Sequence, residues 1–336
     1  MPFVIVTSDD FADHLTPPGH PESPERAEIL AGVAERARER GVRVVEPREA
    51  SDAELTRVHT WSHVAAVEAT RGRSVMIDDD TFTSPDTGRI ARLAAGAAVV
   101  GVEQGSDALV LVRPPGHHAE PGQAMGFCFY NNVAIAAAAA RAAGAARVAV
   151  VDIDVHHGNG TERMFYGDRS VLFISTHQWP LYPGTGAATD IGSGDGLGHT
   201  VNIPIEAGAS DGDYLEILDA VVAPVLADYA PELVIVSAGF DAHEDDPLAQ
   251  MRLTTAGYRA VAARLRDAAR QANCPIVFVT EGGYALGALA ASLDAVVDVL
   301  RGEDPAGEPS TRPSTGRGTR AIAAVRAAQG ARWRSL

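Results

Sequence analysis

The stretch Arg147-Val-Ala-Val-Val-Asp152-Ile-Asp154-Val-His156-His157 decides the fold. Residues 147–153 form a nearly unbroken apolar run rich in valine, which reads as a strand buried on both faces of a parallel sheet. The run passes directly into carboxylates and imidazoles. Four other apolar runs end the same way. Residues 108–112 lead into Arg113-Pro-Pro-Gly-His117-His118, and residues 171–175 into Ser175-Thr176-His177. Residues 233–237 lead into Ala238-Gly-Phe-Asp241, and residues 275–280 into Glu281-Gly-Gly-Tyr284. Helical segments at 85–103, 132–143, 213–229, 255–272 and 286–300 lie between and after them. The alternation predicts an α/β fold, a central parallel sheet with helices on both faces. In open parallel sheets ligands bind outside the carboxyl ends of the strands, so the polar endings predict one functional rim.

Working outward, 336 residues with a hydrophobic fraction of 46% support an ordinary core. A single domain is expected over 1–301. Residues 302–318, rich in Gly, Pro, Ser and Thr, read as a flexible connector, and 319–336 as a C-terminal helical tail. The tail packs on the same chain or on a second copy, which leaves a homo-oligomer open. Only Cys128 and Cys274 occur, without metal-type spacing, so a reducing cytoplasm is expected. The N-terminus lacks a basic region followed by a long apolar segment, and no signal peptide is read there. The alanine-rich stretch 134–143 is too short for a membrane span. A net charge of −16 argues against nonspecific nucleic-acid binding. The chain contains no lysine, which excludes a lysine nucleophile or Schiff base.

Asp154 and His156 stand two apart on a strand-like run, so their side chains share a face. With Asp241 they offer a carboxylate, an imidazole and a second carboxylate, a set that suits Zn²⁺ or Fe²⁺. Three ligands leave a coordination place for water or substrate, as a catalytic metal requires. His117 and His118 are adjacent and point differently. One takes the general acid or base role and the other an electrostatic or relay role. Asp152 and Asn159 are available to orient an imidazole. Tyr284, after two glycines at a strand end, is placed to donate to a developing oxyanion. By themselves a His-His pair reads as a structural turn and a tyrosine as core; beside a metal triad they read as metal-assisted amide hydrolysis. His59 and His63 have helical i, i+4 spacing, but without a third ligand they read as surface histidines. His177 and His243 read as groups at the rim or behind the site.

The motifs Arg113-Pro-Pro-Gly-His-His, Gly126-Phe-Cys-Phe-Tyr-Asn-Asn, Asp152-Ile-Asp-Val-His-His-Gly-Asn-Gly-Thr, Tyr182-Pro-Gly-Thr-Gly, Ser237-Ala-Gly-Phe-Asp and Glu281-Gly-Gly-Tyr together resemble the histone deacetylase family, across residues 20–300. Asn159 and the Glu-Gly-Gly-Tyr form are similar to its class II branch, including bacterial members. The resemblance implies the arginase-like, three-layer α/β fold. It implies Asp154, His156 and Asp241 as zinc ligands, His118 as general base, His117 as its electrostatic partner and Tyr284 as carbonyl polariser. It implies that the Gly126 carbonyl receives the substrate amide and that Phe127 and Tyr182 flank a tunnel for an acyl-lysine side chain. The family more commonly has Phe where Tyr182 stands. Structural K⁺ sites are implied around Asp152, Asp154, His156, Ser175 and Thr176, and around Phe165, Asp168 and Val171. One aspartate of Asp78-Asp79-Asp80 falls near a rim position that grips substrate in the family, although a solvated acidic turn reads equally well.

The expected activity is zinc-dependent removal of acetyl or short acyl groups from acyl-lysine. Polyamine deacetylases of the class II branch carry glutamate after Asp-Pro, whereas this chain has Asp246-Pro247-Leu248. Leu248 therefore favours peptide or protein acyl-lysine over a small acylated amine such as an acetylpolyamine. A two-metal hydrolase of the arginase type would need a carboxylate where Gly158 stands and Asp-x-Asp where Asp241-Ala-His243 stands. A non-catalytic acyl-lysine binder would have lost a ligand, a histidine or the tyrosine, and all are intact.

Overall fold

The computed structural model describes residues 3–303, 311–330 and 332–336. Its strands are β1 Val4–Val6, β2 Arg43–Val45, β3 Ala108–Val110, β4 Val148–Asp152, β5 Val171–Gln178, β6 Thr200–Ile205, β7 Leu233–Ala238 and β8 Ile276–Thr280. The chain divides into two compact units. One comprises Met1–Ala145, Gly158–Met164 and Val277–Gly282; the other comprises Ala146–His157, Phe165–Ile276 and Gly283–Leu336. The first carries the strand order β2-β1-β3-β8, the second β7-β4-β5-β6, with every ladder parallel. This is the parallel α/β class that the apolar runs predict. Residues of β4 and β7 are buried throughout, the signature of strands covered on both faces.

The helices are α1 Glu25–Glu39, α2 Asp52–Leu55, α3 Trp61–Glu68, α4 Thr87–Glu103, α5 Asn132–Ala142, α6 Asn159–Phe165 and α7 Asp211–Ile217. A π-helical stretch, Leu218–Val222, joins α7 to α8 Ala223–Tyr229, and α9 Thr255–Gln271, α10 Leu286–Arg301 and α11 Arg317–Gln329 follow. Helix α4 is apolar nearly all round and packs on β1, β3 and α5, where Ala and Gly allow close approach. Helix α9 buries a stripe of Tyr258, Val261, Ala262, Leu265 and Ala268, and rests on α10.

All five predicted strands are present, with ends displaced by one to three residues. Strands β1, β2 and β6 escape the pattern reading; β1 and β2 are three residues long, as is β3, which the longer apolar run 108–112 discloses. One correction bears on the site. Strand β4 stops at Asp152, so Asp154 and His156 lie in the irregular segment beyond it rather than on the strand.

Of the connector expected at 302–318, residues 304–310 lie outside the described residues. Residues 311–318 are tied to the N-terminus of α7. Arg312 N donates to Asp211 Oδ2 at 2.8 Å. Asp213 receives Thr315 N, Thr315 Oγ1, Ser314 Oγ and Gly318 N, besides closing a capping box with Ser210. From there α11 packs on α7 and β6. Burial raises Asp213, but the donors at Gly318, Ser210 and Thr315 outweigh it and bring the carboxyl to about 2. A depressed folded value gives stability that is present above the unfolded pKa of about 3.9 and is lost as pH falls through about 2. Asp213→Ala should therefore lower stability at neutral pH by about 0.5–2 kcal/mol, the usual scale for losing such a cap. In paired denaturant titrations the difference between wild type and variant should shrink between pH 4 and pH 2.

Candidate active site

In the second unit, the segment after β4 and the end of β7 bring three predicted ligands together. Asp154, His156 and Asp241 form the one His/Cys/Asp/Glu cluster of metal-binding size among the described residues, with ligand atoms within 4.8 Å of one another. His156 Nδ1 lies 3.2 Å from Asp154 Oδ1 and 3.1 Å from Asp241 Oδ2. The backbone fixes each carboxylate. His156 N donates to Asp154 Oδ1 and Val155 N to Asp241 Oδ1, both at 2.9 Å. Gly239 makes the approach of the two segments feasible, since a Cβ there would stand 2.1 Å from Asp154 Oδ2.

Both carboxylates are fully buried. Burial, then the neighbouring Asp154 charge, pushes Asp241 up to about 7. Burial pulls the His156 imidazole down, yet hydrogen bonds to Asp154 and Asp241 carry it up to about 10. Two buried acids around one nitrogen thus demand positive charge. A divalent cation meets that demand with the N and O donors it prefers, so the residues fit the metal.

The first unit holds the histidine pair. His117 and His118 have ring centroids 4.0 Å apart, and both are buried. Asn159, at the start of α6, donates Nδ2 to Glu120 Oε1 at 3.1 Å. Its Oδ1 therefore faces His118 Nδ1, at 2.8 Å, and makes that nitrogen the donor. His118 Nε2 is left as the basic nitrogen. The turn carrying the pair is gripped from two sides. Glu281 Oε2 accepts from Gly116 N at 2.6 Å and His117 N at 3.2 Å. Arg113 pairs bidentately with buried Glu22 at 2.8 Å and donates to the carbonyls of Phe11 and His14. Arg26 joins Glu22 to the Glu281 carbonyl. Arginine charges beside it, chiefly Arg113, hold Glu22 well below the carboxylate range despite burial. Glu22, Arg26 and Glu281 were not read as site residues, because their role is to hold backbone rather than to meet substrate. Glu281 does open one of the motifs quoted above, Glu281-Gly-Gly-Tyr284.

Gly126 and Phe127 both have left-handed backbones, φ 56° and 68°. Reciprocal amides between Met125 and Cys128 and a bond from Phe127 N to Thr81 Oγ1 hold this strained turn. Cys128 Sγ donates to the Gly126 carbonyl, which retains a second lone pair. His20 stacks edge-on against Phe127 at 4.8 Å and binds the Asp80 carbonyl, a buttress that sequence reasoning did not foresee. Asp78 Oδ1 is used within its own turn by Asp80 N and Thr81 N, while Asp79 is exposed.

In the second unit Tyr182 is 40% exposed, with its ring 6.3 Å from that of His156. Leu248 is half-buried, and Tyr284 N donates to Asp246 Oδ2 at 2.7 Å. Asp152, whose Oδ1 accepts from Asp154 N, pairs in register with Ser175. Thr176 follows on β5, Ser175 Oγ bonds His177 Nδ1, and Asp168 N bonds the Phe165 carbonyl ahead of Val171. His177 is fully buried rather than at a rim, and burial holds its pKa well down. His59 and His63 are buried too, which corrects the surface reading. They bind the Glu120 and Phe129 carbonyls and the Asn131 amide, and burial takes His59 down to about 3. No helix among the described residues is long and apolar enough to cross a membrane.

Comparison with known proteins places these residues in context. The family described as histone deacetylase domain matches residues 20–300. A probable deacetylase of Archaeoglobus fulgidus is 38% identical over 313 residues, covering 89% of this chain and 86% of the relative. A histone deacetylase-like amidohydrolase of Pseudomonas aeruginosa is 40% identical over 278 residues, covering 79% and 73%. The crystal structure of the HDA15 HD domain superposes with a TM-score of 0.90 at 38% identity, covering 99% of this chain and 95% of that one.

Two measurements check the site. After loading with a divalent metal, Asp241→Ala should retain less than about a tenth of the metal that wild type retains by elemental analysis, because an orphaned Asp154–His156 pair lacks the third donor. Gly126→Ala would place a Cβ 2.5 Å from His118 Cδ2. It should lower turnover by about 10²-fold, the scale of an ångström's misplacement of a reacting group, with zinc content unchanged.

Proposed function

Because the chain belongs to the histone deacetylase family, we propose that it is a zinc-dependent amidohydrolase that removes acetyl or short acyl groups from acyl-lysine side chains. The buried Asp154–His156–Asp241 cluster, with its demand for positive charge, carries this reading. These three residues would hold the ion; when bound, it supplies Lewis acidity toward water and a carbonyl oxygen.

The chain's own groups account for the proton movements. His118 Nε2, left basic by the bond from Nδ1 to Asn159, takes a proton from water as the water oxygen adds to the acyl carbon. The Tyr284 hydroxyl donates to the oxygen on which charge develops. The C–N bond then breaks, and the departing amine leaves with the proton held by His118. His117, its ring tilted at 40° beside that of His118 with centroids 4.0 Å apart, tunes that imidazole electrostatically. The Gly126 carbonyl accepts the substrate amide, and Phe127 and Tyr182 flank the acyl-lysine stem. We place the catalytic domain at residues 1–301, K⁺ at the two sites named above, and the protein in the cytoplasm, in keeping with its two free cysteines.

The apolar Leu248 supports peptide or protein acyl-lysine over an acetylpolyamine, since it offers nothing to a distant ammonium. A hydrolysis panel of acetyl-lysine peptide, longer acyl-lysine peptides and acetylpolyamines on zinc-loaded protein tests this. Acetyl-lysine peptide should be cleaved fastest, and cleavage of polyamine alone would reject the substrate assignment. Tyr284→Phe should keep its zinc and lose about 10²–10³ in turnover, the scale for one oxyanion donor. Near-normal turnover would reject the polariser role.

A further inference from the structure

We infer that Asp246 is a positioning residue that sets the Tyr284 hydroxyl by clamping the tyrosine's backbone, an inference that rests on the polariser role proposed for Tyr284. Tyr284 lies in the irregular stretch between β8 and α10, preceded by Gly283 at φ 125°, a conformation that glycine favours. The Asp246 carboxylate supplies restraint from a different segment. Its Oδ2 accepts Tyr284 N at 2.7 Å and Ala285 N at 3.2 Å, and its Oδ1 accepts Leu248 N at 3.0 Å.

The clamp itself is fixed. Asp246 is 6% exposed and its own amide donates to the His243 carbonyl at 2.9 Å. The loop that bears it is pinned through Glu244 N to Leu253 O and Leu253 N to Ala242 O, beginning at the metal ligand Asp241. Ala285 is the N-cap of α10 and makes no side-chain cap bond, so the carboxylate also meets the positive end of a sixteen-residue helix. One side chain thus ties the segment after the ligand Asp241, the Leu248 loop and the Tyr284 turn into a single register. Loss of the carboxylate removes two acceptors from the tyrosine's turn while leaving its hydroxyl and the Asp154, His156 and Asp241 side chains in place.

A double-mutant cycle separates positioning from general support. Turnover, KM for an acetyl-lysine peptide and zinc stoichiometry are measured for wild type, Asp246→Ala, Tyr284→Phe and the double variant. Asp246→Ala should lower kcat by roughly 10–100-fold, the scale for removing a partner that orients a functional group, with zinc and KM unchanged. In the Tyr284→Phe background the same change should alter kcat by less than about threefold, since groups acting as a unit are non-additive. Equal losses in both backgrounds, or loss of zinc from Asp246→Ala, would overturn the inference while leaving the Tyr284 role intact. Near-normal turnover of Tyr284→Phe alone would overturn that role and this inference with it. Should Asp246→Ala fail to fold, Asp246→Asn keeps the volume and one acceptor. Its smaller loss should likewise vanish in the Tyr284→Phe background, and an undiminished loss there overturns the clamp.

Discussion

Two carboxylates with no exposed surface, turned toward one imidazole nitrogen, are the constraint around which the second unit is arranged. Bringing two acids out of water is unfavourable unless charge is compensated, and here the backbone is spent on compensation in advance. Amides of His156 and Val155 point at the carboxylate oxygens, and a glycine at 239 lets the β7 end close on the β4 end. The remaining electrostatic deficit is what a doubly charged ion supplies. Fold and chemistry are therefore not separable at this point. The segment that leaves β4 is held by its own amides, which donate to the carboxylates of Asp154 and Asp241.

Much of this was legible in the sequence because buried parallel strands leave a strong mark. Continuous valine and isoleucine runs ending in polar clusters located five of the eight strands and the ligands Asp154, His156 and Asp241. What stayed hidden was short or indirect. Three-residue strands such as β1 and β2 carry no period, and helix α1 opens inside a Pro/Glu-rich stretch that resembles a loop. Histidines 59 and 63 look like surface residues by their spacing, yet His59 bonds the Glu120 carbonyl and the Asn131 amide, and His63 Nε2 bonds the Phe129 carbonyl. Residues that hold backbone, Glu22, Glu281 and Asp246, have no reactive signature, and their partners emerge only from coordinates even where, as with Glu281 and Asp246, the sequence motifs include them.

The first unit solves a parallel problem with opposite means. The turn bearing His117 and His118 has no regular structure, and a network of Glu22, Arg113, Arg26 and Glu281 fixes it through carbonyls and amides. Such networks give little net stability but strongly specify one geometry, because any half-broken version leaves a buried charge unpaired. The placement of the His118 ring depends on that specification. The Asn159 amide, oriented by Glu120, makes Nδ1 of His118 the hydrogen-bond donor.

The packing of α11 on β6 has a different kind of consequence. Strand β6 ends its ladder, so one side of its backbone is unpaired by any strand, the arrangement by which sheets recruit foreign chains and grow into fibres. Helix α11 lies against that strand, and the Gln329 amide donates to the Thr200 carbonyl. Helix α11 thus covers part of the open border of the sheet, the place where an exposed edge would otherwise accept a foreign strand.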